Sequence, residues 1–196
     1  GEMIVPLWRV PKRVEVALHA HGPSEIGTFW SGDDGETWQT GAIIPSTEDM
    51  PSPNETEIAE LADGRIYLNT RLGGTMLRRG RAWSADGHSD WKDYGTDEAL
   101  ADPRCFGSTV SFHAPDGRDW LFFANCESES GRKNVTLKGS LDGGLTWCYR
   151  RVLDAEQGGY VELAADPLRG RLYVLYEELG GTALHFVTVD SGELTV

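Results

Sequence analysis

Positive charge is scarce in this chain. Lysine and arginine together number 18 against 31 aspartates and glutamates, and the formal net charge is −13. Nucleic acids and anionic membranes are bound by a basic face, so this balance argues against both as partners. Long apolar runs are missing as well. Nothing approaches the roughly 18 consecutive apolar residues that mark a membrane-crossing helix. Cysteine is limited to Cys105, Cys126 and Cys148, an odd number at spacings that fit no zinc motif. All three read as buried free thiols. No segment sustains a 3.6-residue apolar period, so no long amphipathic helix is expected. No signal-peptide pattern is visible, and the chain opens directly on the strand-like run Met3-Ile4-Val5-Pro6-Leu7-Trp8, as though in mid-domain.

What the chain does have is turns and aromatics: 24 glycines, nine prolines and seven tryptophans. That composition favours short strands. It also has a repeat. Ser31-Gly32-Asp33-Asp34-Gly35-Glu36-Thr37-Trp38 returns as Ser140-Leu141-Asp142-Gly143-Gly144-Leu145-Thr146-Trp147. A degenerate copy lies between them, Ser84-Ala85-Asp86-Gly87-His88-Ser89-Asp90-Trp91, with Asp90 where Thr is expected. The three serines are 53 and 56 residues apart. A period of about 55 residues suits one four-stranded blade with generous loops. Within the motif, Asp accepts backbone N–H bonds, Gly supplies the turn conformation, and the hydroxyls add local bonds. The motif therefore predicts a hairpin staple whose aspartates are structural.

Strand candidates fill the intervals: Val14–Ala20, Ile26–Ser31, Thr56–Leu61, Arg65–Thr70, Arg79–Ser84, Ser108–His113, Trp120–Asn125, Asn134–Ser140, Tyr160–Ala164, Leu172–Glu177 and Ala183–Val189. Ser46–Asn54 and Asp93–Pro103 read as loops. His19, His21, His88, His113 and His185 show neither triad nor metal-ligand spacing. Among the cations, 14 are arginine and four lysine. The planar guanidinium matches both oxygens of a carboxylate, so a few converging arginines could still bind a small anion.

Four segments between the repeats carry a more specific pattern. They are Asn54-Glu55-Thr56-Glu57-Ile58-Ala59-Glu60-Leu61-Ala62-Asp63-Gly64-Arg65, then Leu68-Asn69-Thr70-Arg71, then Gly131-Arg132-Lys133-Asn134-Val135-Thr136-Leu137, and last Gly158-Gly159-Tyr160-Val161-Glu162-Leu163 with Leu175-Tyr176-Glu177. In type and order they resemble the carboxyl-terminal two-thirds of a sialidase (neuraminidase) catalytic domain of the bacterial and animal type. One position departs from the family pattern: Val161 stands where Ser is usual.

The resemblance implies an all-β fold, a six-bladed β-propeller. At about 55 residues per blade, this chain supplies roughly three and a half to four of those blades. Residues 1–196 then form one partial propeller domain, with the amino-terminal blades absent from the chain. By the same resemblance Tyr160 is the nucleophile and Glu55 its base. Arg71 and Arg132 bind the substrate carboxylate, and Glu177 supports the remaining arginine of that triad. No metal and no cofactor is implied. The partners implied are a sialylated glycan and the absent blades. The location implied is outside a bacterial cell or on its surface, or an animal lysosome or cytoplasm.

The activity implied is exo-α-sialidase hydrolysis with retention. The alternatives are a sialic-acid-binding module without turnover, and a scaffold of Asp-box repeats. Two family features are not found: the Arg-Ile-Pro strand with the first triad arginine, and the Asp that serves as acid. Trp8-Arg9-Val10-Pro11 is only superficially similar, because Gly1–Ser31 matches a later strand of the family. The chain alone is therefore expected to be inactive or weakly active.

Overall fold

A computed structural model describes residues 1–10 and 21–195. Its strands follow one another in small antiparallel sheets. The first holds β1 (Met3–Arg9), β2 (Glu25–Ser31) and β3 (Gln39–Thr40). The second holds β4 (Thr56–Glu60), β5 (Ile66–Arg71), β6 (Arg78–Ser84) and β7 (Lys92–Ala101). The third runs through β8 (Ser108–His113), β9 (Asp119–Cys126) and β10 (Lys133–Ser140) into β11 (Tyr149–Asp166). That long strand serves two sheets. It pairs with β10 as far as Gln157, and from Gly158 onward with β12 (Arg171–Glu178), which in turn pairs with β13 (Leu184–Asp190). One 3₁₀ turn, Ser191–Glu193, follows.

The innermost strands touch in sequence: β1 packs on β4, β4 on β8, and β8 on β11. Each sheet is thus a blade, and the blades are arranged around a common inner line. Between blades the packing is apolar. Tyr67, Trp83, Leu61 and Leu121 bury their side chains where the second blade meets the third. The third and fourth blades share a larger cluster that includes Phe112, Trp120, Phe122, Leu137, Leu172 and Val174. Middle strands such as Ile66–Arg71 and Asp119–Cys126 are buried almost throughout, so they read as continuous apolar runs.

The repeats sit where each of the first three blades turns into its last strand: between β2 and β3, β6 and β7, and β10 and β11. In the first and third copies the geometry is the same. The serine Oγ accepts the glycine N–H at 2.9 Å, and the aspartate takes the threonine N–H at 2.8 Å and its hydroxyl at 2.6 Å. These bonds push the Asp33 carboxyl down to about 2. In the middle copy the turn is one residue tighter. Gly87 N–H reaches Ser84 Oγ at 2.8 Å, and Ser89 rather than residue 90 supplies the N–H and hydroxyl to Asp86.

The observed strands correct some expectations. Asp93–Pro103 is not a loop, because β7 occupies most of it. As the outermost strand of its blade it keeps one side in water, and its charges hide the strand pattern. The first half of β11 is another outer strand rich in charge, and it lies outside the strand candidates for the same reason. Cys105 and Cys126 are buried free thiols, but Cys148 is exposed. The candidate strand Val14–Ala20, with His19, lies outside the described residues. No described helix is long and apolar enough to cross a membrane.

Candidate active site

Antiparallel blades bring the starts of first and third strands, and the ends of second and fourth, to one rim. Glu55 directly precedes β4, and Arg71 ends β5. Their backbones are paired, with Arg71 N–H donating to Glu55 O at 2.9 Å and Asn54 N–H to Arg71 O at 3.0 Å. Thr56 and Thr70 tie the same ends together, their hydroxyls 2.9 Å apart. Cross-strand neighbours share a face. Accordingly Arg71 Nη1 donates to Glu55 Oε2 at 2.9 Å, with both side chains about 13–14% exposed.

Tyr160 arrives from the far blade, at the point where β11 passes from β10 to β12. Its phenol donates to Glu55 Oε1 at 2.6 Å, across 105 residues of sequence. Arg132, one residue before β10, places its guanidinium carbon 5.4 Å from the centre of the Tyr160 ring. The backbones join here too, Gly158 N–H donating to Arg132 O at 3.1 Å. Among the described residues no carboxylate forms an ion pair with Arg132. Tyr160, Glu55, Arg71 and Arg132 therefore stand together. Glu177, at the end of β12, meets the group through a different atom: its Oε2 accepts the backbone N–H of Tyr160 at 3.1 Å.

Electrostatics divide the two oxygen acids. Burial opposes charge on Glu55, but the Tyr160 phenol and the Arg71 guanidinium outweigh it, and the carboxyl is held below the usual range. Burial, together with the neighbouring Glu55 carboxylate, pushes the Tyr160 phenol up. At neutral pH the site thus presents a neutral phenol already hydrogen-bonded to an ionised carboxylate, between two guanidinium groups. That arrangement can bind a small carboxylate and deprotonate a phenol as it attacks.

Several residues beneath the site carry no sequence signal. Arg79 is fully buried. It donates to Asn69 Oδ1 at 2.7 Å and to Cys105 O at 2.8 Å, and it pairs with buried Asp102 at 3.4 Å. Asp102 in turn accepts Cys105 N–H, and Asn125 holds Ala101 O. This network fixes the connection from β7 to β8, which places Phe106 with its ring centre 5.5 Å from that of Tyr160. Nothing in the local pattern distinguishes Arg79 from the arginines beside it, because the partners are 10 to 26 residues away. A cleft of about 420 Å³ lined by His21, Asn54, Arg71 and Arg104 opens next to Arg71. A larger one, about 610 Å³, lies at the opposite rim among the turns after β4 and β8, away from the phenol.

The family described as BNR repeat-like domain matches residues 1–178. A sialidase of Micromonospora viridifaciens is 30% identical over 178 residues, 88% of this chain and 26% of that protein. A sialidase of Bacteroides fragilis is 32% identical over 138 residues, 67% of this chain and 24% of that protein. The chain thus spans about a quarter of the length of these curated relatives. Among solved structures, a Hadza microbial sialidase superposes with a TM-score of 0.73 at 27% identity, over 88% of this chain and 33% of that one. The fold is that of a sialidase β-propeller, of which the described residues form four blades.

Proposed function

The chain belongs to the BNR repeat-like domain family, and on that premise we propose that it is the major part of an exo-α-sialidase catalytic centre, releasing terminal sialic acid from glycans with retention. The observation that carries this reading is the 2.6 Å bond between the Tyr160 phenol and Glu55, with Arg71 and Arg132 on either side.

The chemistry follows from the substrate. A sialic acid carries a carboxylate on the carbon under attack. An ionised carboxylate nucleophile about 4 Å from it would be repelled by about 4 kcal/mol at an effective dielectric of ~20. That is close to a thousandfold in rate. A phenol avoids the penalty if its proton leaves as the new bond forms, and sialidases are the glycosidases that use tyrosine in this way. Tyr160 Oη bonds to the anomeric carbon, its proton passes to Glu55 Oε1, and the aglycone oxygen leaves with its electron pair. Water then attacks the same carbon, giving its proton to the group that protonated the aglycone, while Glu55 Oε1 returns its proton to the departing Tyr160 oxygen, so two inversions give retention. Arg71 and Arg132 orient the substrate carboxylate and compensate its charge.

The leaving oxygen needs an acid. Among the described residues Glu55 is the one carboxylate bonded to Tyr160 Oη, and it is committed as base. We place that acid, the first triad arginine and the remaining blades outside these 196 residues. In this proposal Glu177 supports the missing arginine from its place at the same rim.

The test is covalent capture. A 3-fluorinated sialosyl fluoride has a leaving group that needs no acid. After incubation, peptide mass spectrometry is expected to find the sugar on Tyr160, and Tyr160→Phe is expected to abolish it. Saturable binding of an unsaturated sialic-acid analogue with no adduct would instead favour a binding module without turnover. Neither binding nor adduct would leave a repeat scaffold.

A further inference from the structure

β11 carries an extra residue where it enters the fourth blade. Gly158 faces Glu178 and Val161 faces Tyr176, so Gly159 and Tyr160 together oppose the single residue Glu177. A bulge of this kind takes a residue out of the ladder and re-aims its side chain. It also leaves backbone groups without cross-strand partners, and a backbone group buried unpaired is destabilising.

Here side chains satisfy two of them. Glu177 Oε2 accepts the Tyr160 N–H at 3.1 Å. Cys126 Sγ donates to Gly159 O at 3.3 Å. The two glycines make room. A Cβ on Gly159 would sit 2.7 Å from Glu177 Oε2 and 2.8 Å from Glu177 Cβ. A Cβ on Gly158 would sit 2.5 Å from Val135 Cγ2 and 3.3 Å from Cys126 Sγ. Gly159 is thus fitted to the Glu177 side chain and Gly158 to Val135 and Cys126, and the bulge between them turns Tyr160 onto Glu55.

We propose that Glu177 is a positioning residue for Tyr160, acting through the backbone amide of the bulge rather than only through an arginine, and that Gly159 exists to admit its carboxylate. This rests on the reading of Tyr160 as nucleophile. A role confined to holding an arginine gives a different signature, since it would act on substrate binding and would need the carboxylate charge. A lock on the amide needs only an acceptor oxygen, which glutamine also has.

Two measurements on the full chain decide it: hydrogen exchange of the ¹⁵N-labelled Tyr160 amide, and the rate of Tyr160 labelling by the fluorinated sialosyl fluoride. In Glu177→Ala the Tyr160 amide is expected to exchange about 100-fold faster while amides in the middle of β12 keep their protection. Saturated labelling is expected to slow by about 30-fold, with the half-saturating concentration within about threefold of the parent. Glu177→Gln should recover most of both. Gly159→Ala, which displaces the carboxylate without deleting it, should resemble Glu177→Ala and serves if that variant does not fold.

Unchanged exchange in Glu177→Ala overturns the lock. So does a Glu177→Gln variant that fails like Ala with a raised half-saturating concentration. Absence of labelling in the parent chain overturns the nucleophile reading, and with it the catalytic part of this proposal, whatever the exchange shows. The exchange pattern by itself decides whether Glu177 holds the bulge.

Discussion

At the scale of single residues, the pair Glu55–Tyr160 sets the pH behaviour. On the proposed mechanism Glu55 must be ionised to accept the proton, and its carboxyl is held below the usual range. Tyr160 labelling is therefore expected to stay on its plateau as pH falls through the ordinary glutamate range, near 4.3, and to decline only below it. The same depression adds stability that is present above the unfolded carboxyl's pKa and lost as pH falls through the folded one. Arg71→Met removes the guanidinium but leaves the burial that opposes charge. The acidic limb of the labelling profile should then move toward neutral pH, and an unmoved limb would mean that Arg71 does not set the base. Glu55→Gln keeps the shape and removes the charge. Labelling should fall by about 10²–10⁴-fold. Ultraviolet titration of the phenolate should show Tyr160 ionising at lower pH than in the parent, because Glu55 is one of the groups that raises it.

At the scale of elements, the strands carry the blades and the repeated turns join them. Trp83 on β6 donates from Nε1 to Gly143 O, in the turn of the next blade, at 2.8 Å, and Arg81 reaches Gly144 O beside it. Trp83→Phe removes the donor and leaves a carbonyl without its partner, which should cost about 1–3 kcal/mol in urea unfolding with the slope unchanged. Trp38 belongs to the first copy of the motif but is 43% exposed and bonds back to its own turn at Gly35 O. Trp38→Phe should stay within about 0.5 kcal/mol of the parent, and equal losses in the two variants would refute the distinction. This contrast also shows what the sequence could and could not reveal. The repeat was legible because a local Ser–Asp–Gly–Thr constellation makes its own hydrogen bonds within eight residues. The inner and middle strands were legible because burial imposes apolar runs on them. The outer strand β7 was not, since an edge in water tolerates Lys92, Asp93 and Glu98 as readily as any loop does. Glu55, Arg71, Arg132 and Tyr160 could be named from segments that resemble a family, but their meeting at one rim spans three blades, and only the fold supplies it. Arg79, Asp102 and Phe106 stayed hidden because their roles are defined by partners distant in sequence.

At the scale of the whole molecule, the described blades bring together a phenol, a carboxylate and two guanidinium groups, with one carboxylate bonded to the phenol and, on the proposed reading, that one already used as base. On the proposed reading Arg71 and Arg132 take up an anionic sugar, and the Tyr160–Glu55 pair leaves the departing aglycone oxygen without a proton. If the acid lies in blades beyond these 196 residues, the rate of the isolated chain must depend steeply on how well the aglycone bears negative charge. Aryl sialosides whose phenol leaves as a stable anion should be cleaved, with Tyr160→Phe as the inactive control. Alkyl sialosides such as sialyl-lactose should be slower by roughly the 10²–10⁴-fold that general acid catalysis contributes. A longer chain carrying the preceding blades should close that gap by accelerating the alkyl substrates far more than the aryl ones. Equal rates on both classes in the isolated chain would mean that it holds its own acid, and would return the search to the carboxylates of this rim.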